Sequence, residues 1–99
     1  MFEPIELEKV QNIVCEAFTG TLASIAANSQ GVLTVSGISK SGYTPLVAIF
    51  GGQGASSKLL PQTVAVAVSS GSASFYVANV GSTASTSVTC TIRVIFVKK

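Results

Sequence analysis

The 99-residue chain is predicted to be all-β: an antiparallel β-sandwich of about six strands with a short N-terminal helical stem. Three observations carry that expectation. From Gly20 onward, apolar residues recur with a period of two. The runs are short, and clusters of Gly, Ser and Asn separate them. No helical stretch lies between the runs to cross from one parallel strand to the next, so one antiparallel sheet must cover another. The length suits one domain with a modest core.

Residues 1–18 are expected to be a stem or anchoring segment, and 19–99 the sandwich head domain. Pro4 suits the first turn of a helix, Glu6 and Glu8 suit its positive end, and Gly20 is a plausible stop. Leu7, Val10, Val14 and Ala17 fall at heptad-like spacings, a seam for packing. A helix of about 21 Å is marginal alone in water and needs a partner. That partner is either the body of its own chain or the same helix from sister subunits. A third reading has Ile5 and Leu7 alternating with Glu6 and Glu8 on a short strand.

The head reads as strands over residues 21–25, 31–38, 45–51, 63–69, 73–80 and 86–97. The last is the clearest. Val88, Cys90, Ile92, Val94 and Phe96 share one face, while Arg93, Ile95 and Val97 share the other. In 63–69, Val64, Val66 and Val68 oppose Ala65 and Ala67. Ser70-Gly71 is a tight hairpin turn joining 63–69 to the next run. The second face is unusually apolar, with Ile95 and Val97 beside small alanines. Either the strands are partly covered on both faces, or subunits pack through the outer one.

Charge narrows the function. Only 10% of residues are charged, against roughly 25% in an average domain, and 14 Ser and 9 Thr replace them. All four acids, Glu3, Glu6, Glu8 and Glu16, lie in the first sixteen residues. The body has no carboxylate side chain and the chain has no histidine, so glycosidase pairs, Ser-His-Asp triads and Cys-His dyads are excluded. The expectation is no enzyme, no cofactor and no metal. Ser57-Lys58 is a loop pair, and Gly51-Gly52-Gln53-Gly54 lacks the GK[ST] ending of a phosphate loop. Cys15 and Cys90 read as two free, buried thiols, with a disulfide as the alternative. Five scattered cations after residue 16 make too weak a field for nucleic acid. No apolar run approaches the roughly 18 residues of a spanning helix, so no membrane insertion is expected. The acidic N-terminus is unlike a secretory signal, which predicts a soluble protein made in the cytoplasm.

Ser39-Lys40-Ser41-Gly42-Tyr43-Thr44-Pro45-Leu46-Val47-Ala48-Ile49, then Ser74-Phe75-Tyr76-Val77-Ala78-Asn79, then a closing strand ending in Ile92-Arg93-Val94-Ile95-Phe96-Val97, resemble the small β-sandwich heads of bacteriophage tail-fibre and other virion fibre proteins. The order is also similar to the H-type lectin fold, a six-stranded trimeric sandwich. The resemblance spans about residues 19–99. It implies a homotrimeric fibre or spike head in a virion. Its stem would join other virion proteins, and its loops would meet a host cell-surface glycan. Gln53, Ser56, Ser57, Lys58 and Asn79 are the candidate contacts; Leu7, Val10, Val14 and Ile95 are the candidate subunit interface. Tyr43 and Tyr76 are expected to pack structurally rather than stack on a ligand. The alternatives are a capsid head-fibre or decoration protein without a receptor, and a bacterial surface adhesin module.

Overall fold

The computed structural model describes residues 12–53 and 58–99. Seven strands follow one another: β1 (Ile13–Leu22), β2 (Ser29–Val35), β3 (Tyr43–Gln53), β4 (Leu59–Pro61), β5 (Ala65–Ala67), β6 (Ala73–Asn79) and β7 (Val88–Lys98). They form two antiparallel sheets, one in the order β1-β7-β3-β5 and the other β2-β6-β4. There is no helix among the described residues.

The two sheets share one core. The four-stranded sheet contributes Leu22, Ala48, Cys90, Ile92, Val94 and Phe96. The three-stranded sheet contributes Leu33, Val35, Leu59, Ala73, Phe75 and Val77. Phe50 of β3 meets Phe75 of β6 edge to face at 5.7 Å between ring centroids. That contact joins the layers in a geometry aromatic quadrupoles favour. Gly20 on β1 marks a close approach of the layers: a Cβ there would lie 2.9 Å from Val35 Cγ2. The alternation expected for the last strand holds, since Cys90, Ile92, Val94 and Phe96 are all fully buried.

The N-terminal expectation needs correction. The helical stem is not supported. Leu7 and Val10 of its seam lie outside the described residues, but Ile13 through Ala17 are strand, paired residue by residue with β7 from Val97 to Arg93. β1 also runs unbroken through residues 18 and 19, where stem and head were expected to divide. The physical reason is that a spacing of four belongs to both periods. Val14, Phe18 and Leu22 make a helical stripe, yet they equally share one face of a strand. A ladder of ten paired residues decides between them, because helix propensity is a weak prior. Val14 therefore packs against the core of its own chain, and Ala17 is exposed on the opposite face.

Three further details differ. Cys15 is exposed, not buried, because it shares the outward parity of Ile13 and Ala17. Cys90 is buried and unpaired, and burial pushes its thiol pKa up. The Ser70-Gly71 turn forms as expected. Both residues have positive φ, 54° and 75°, and Ser69 and Ser72 exchange backbone hydrogen bonds of 3.1 and 3.0 Å. The pairing goes no further, however. β5 joins one sheet and β6 the other, so this turn is the corner between layers. β3 carries bulges after Pro45 and after Phe50. The first lets proline sit inside a sheet, where it cannot donate to the ladder.

Candidate functional site

Asn79 organises one end of the three-stranded sheet. It ends β6, the middle strand, between Ser29 of β2 and Leu59 of β4. Its parity matches Phe75 and Val77, so its side chain points inward, and it is 2% exposed. A buried amide must find partners. Asn79 Nδ2 donates to the Ile25 carbonyl at 2.9 Å and to the Thr83 carbonyl at 3.0 Å, and its Oδ1 accepts from the Gly81 amide at 2.9 Å. Ser85 adds a second stitch: its amide donates to the Ile25 carbonyl, and its hydroxyl accepts from the Ile25 amide at 2.8 Å. The loop after β6 is thus tied to the loop after β1.

Asn79 was an expected contact. Both of its amide hydrogens are committed inside the protein, and the residue also borders a hollow at that end of the sheet. Gln53 lies on β3, where its backbone pairs with Cys90. Ser56 and Ser57 lie outside the described residues. Lys58 is exposed at the turn into β4, and its carbonyl accepts from the Val80 amide. The structure does not gather these five residues into one described cluster.

What it does gather is a shallow hollow of about 330 Å³ on the outer face of the three-stranded sheet. The register explains it. Ala78 faces outward between Gln30 on β2 and Leu60 on β4. Its small side chain leaves a dip that longer neighbours surround. The dip is bounded by Asn28, Ser29, Gln30, Gln62, Asn79 and Val80, and none of its lining residues is charged. One position along β6, on the same outward face, stands Tyr76, 51% exposed. Val32 flanks it on β2, and the Gln62 amide donates to the Tyr76 carbonyl at 2.8 Å. Asn28 holds a left-handed φ of 55°, a conformation Asn tolerates better than most residues. The Ser29 hydroxyl donates to the Ala27 carbonyl at 3.2 Å. Primary amides offer two donors and an acceptor each. The face therefore combines an aromatic platform with neutral hydrogen-bonding groups.

A second hollow of about 580 Å³ lies at the other end of β6, lined by the segment 38–45 with Gly71 and Lys99. It contains six of the residues that carried the virion-fibre resemblance, all from its first segment. The charge of Lys40 in its lining is engaged locally. Lys40 Nζ lies 3.7 Å from the Glu16 carboxylate and 5.5 Å from the centroid of the Tyr43 ring. Backbone hydrogen bonds from Tyr43 to Lys40, from Lys99 to Gly42 and from Ile38 to Gly71 stitch its walls. Among the described residues, no three His, Cys, Asp or Glu side chains come together.

Tyr76 was expected to pack structurally; it stands half-exposed on the outer face, the side its alternation with Phe75 and Val77 gives it. Gln30 and Gln62 were not singled out, because their meeting depends on β4, whose three residues show no alternation in sequence. Comparison with known proteins places no neighbour beside this chain: no family model, curated protein or solved structure matches it.

Proposed function

We propose that the two sheets form the β-sandwich head of a virion fibre or spike. This head would bind an uncharged glycan of a bacterial surface through the Tyr76 face, without catalysing a reaction. The observation that carries the reading is the uncharged hollow between Gln30 and Gln62, next to an exposed tyrosine ring. A sugar presents an apolar C–H face that an aromatic ring covers and a rim of hydroxyls that neutral amides pair. The virion setting rests on the resemblance of residues 39–49, 74–79 and 88–97 to fibre heads. The segment before β1 would be its attachment to the larger assembly. A shallow site of this size gives weak single contacts, so attachment would depend on repeated copies.

Glycan arrays and whole host cells, probed with the intact chain, test this. Binding should fall about tenfold or more in Tyr76→Ala, which corresponds to roughly 1.4 kcal/mol. Gln30→Ala and Gln62→Ala should weaken it by a lesser factor. Because the site carries no charge, affinity should change little between low and high salt. Binding that survives Tyr76→Ala, or that collapses with salt, would place recognition elsewhere. A second reading, a decoration protein without a receptor, is favoured by one observation: the outer face of the other sheet is largely apolar. Absence of binding to any host fraction would select it.

A further inference from the structure

The hollow lined by Lys40 and Lys99 is built from three stretches of chain whose backbones are tied together. Gly42 holds a φ of 82°, and the Tyr43 amide donates to the Lys40 carbonyl at 3.0 Å, which closes a tight turn over residues 40–43. The Ile38 amide donates to the Gly71 carbonyl at 2.9 Å, and the Lys99 amide donates to the Gly42 carbonyl at 3.0 Å. The lining carries the two lysines with the hydroxyl side chains of Ser39, Ser41, Tyr43 and Thr44, and no carboxylate side chain. Lys98 stands opposite Tyr43 in the register, on the same face of its sheet. Three of the five cations among the described residues therefore collect at this end of the molecule. Against them stand Glu16, the one carboxylate side chain among the described residues, and the terminal carboxylate of Lys99. Three positive charges against two negative ones leave an excess of one positive charge.

We infer that this hollow is a binding site for a phosphate group. The donor set fits that chemistry. Lysines act on an anion as point charges, and each hydroxyl adds an O–H donor, so a tetrahedral group with several oxygens can be met from several sides. No arginine fork lines the hollow to match a planar carboxylate. Lys40 is the cation that can change partners. Its Nζ lies 3.7 Å from Glu16, and the two side chains are 34% and 46% exposed. A pair so open to water holds its members weakly. A phosphate monoester carries up to two negative charges near neutral pH, against the single charge of Glu16. Lys40 can therefore turn from the carboxylate to the ligand at small cost, while Ser39, Ser41 and Thr44 are exposed and within the same lining. This site is independent of the uncharged Tyr76 face, which involves none of these residues.

The test is a titration of the intact, isotope-labelled chain with inorganic phosphate and with a hexose phosphate, read from backbone amide shifts in NMR. The same spectra report whether each variant is folded. Saturable shifts are expected in residues 38–45 and at Gly71 and Lys99. The hollow, at about 580 Å³, has room for more than a phosphate, so the hexose phosphate should bind more tightly. Equal binding of the two would assign the site to the free ion. Lys40→Gln should weaken binding about fivefold or more, and Lys99→Gln should weaken it by a lesser factor. Glu16→Gln should tighten it about threefold, because Lys40 no longer has a competing partner. Affinity should fall as salt rises from about 20 to about 200 mM. Gln62→Ala, in the uncharged hollow, should leave it unchanged. Shifts that never saturate, or that appear equally at Lys58, overturn the inference. So does a folded Lys40→Gln that binds phosphate as the wild type does, or a Glu16→Gln that binds it no more tightly.

Discussion

Replacing Asn79 by alanine removes the tie between two loops, and the structure sets the size of the loss. Three hydrogen bonds disappear, two donated to the Ile25 and Thr83 carbonyls and one accepted from the Gly81 amide. Their consequences differ. The Ile25 carbonyl keeps the Ser85 amide as a donor, so that loss is close to the net value of one bond, about 1 kcal/mol. Thr83 is exposed, and water can replace its partner at small cost. Gly81 is buried, and its amide loses its acceptor in a place where desolvation is not returned, about 1–3 kcal/mol. The total is about 3 kcal/mol, which in a domain of this size lowers the melting temperature by roughly 12–24 °C. Urea and thermal unfolding followed by circular dichroism measure it. Asn79→Asp divides the effect, because its oxygens can still accept from Gly81 but face two carbonyls without a proton. Its folded pKa should rise, and its stability should fall as pH rises past about 4. A loss below 1 kcal/mol in Asn79→Ala would refute the reasoning.

The turn between the layers offers a gain: Ser70→Asn, at a φ of 54°, should stabilise by about 0.5–1 kcal/mol in chemical denaturation, since Asn-Gly is the preferred pair for two positive φ values. Gly20→Ala should cost about 1–3 kcal/mol by the same measurement, because its Cβ would press on Val35 at 2.9 Å between packed sheets. Burial raises the Cys90 pKa, so the folded state holds that proton more tightly than the unfolded chain does. Its contribution is fully present below about pH 8.5 and is lost as pH rises toward the folded value. Stability measured from pH 7 to 10 should fall for this reason, and Cys90→Ala should remove that part of the slope.

Parity explains most of what the sequence disclosed. Val88 through Arg93 alternate, and carrying that parity through the apolar Val94–Val97 gave both faces of β7 before any pairing was known. The same rule, applied to 73–79, places Asn79 with Phe75 and Val77, on the inside. Its polarity also put it among the candidate contacts, and it borders the hollow at the end of β6. The stem failed for a different reason. Spacings of three and four residues describe a helix, but a spacing of four also describes a strand, and the β-branched Ile13 and Val14 favour the strand. Long-range pairing with β7 is not written locally. Nor is β4, three residues long and ended by a proline, although it completes the sheet on which Gln62 meets Tyr76. Sites built by neighbours distant in sequence are the part that periodicity cannot supply.

The hollow beside Tyr76 is shallow and uncharged, so its strength in attachment depends on how many copies reach one surface together. An array gains over a single site only if several hollows face the same way. Tyr76→Ala should then lower attachment to cells by a larger factor than it lowers the affinity of one hollow for a soluble sugar, because every copy in the array loses its contact at once. Isothermal calorimetry on the sugar and cell-binding assays on the same variant separate the two effects. Equal falls in both would mean that the hollow works as a single site, and that repetition adds nothing to attachment.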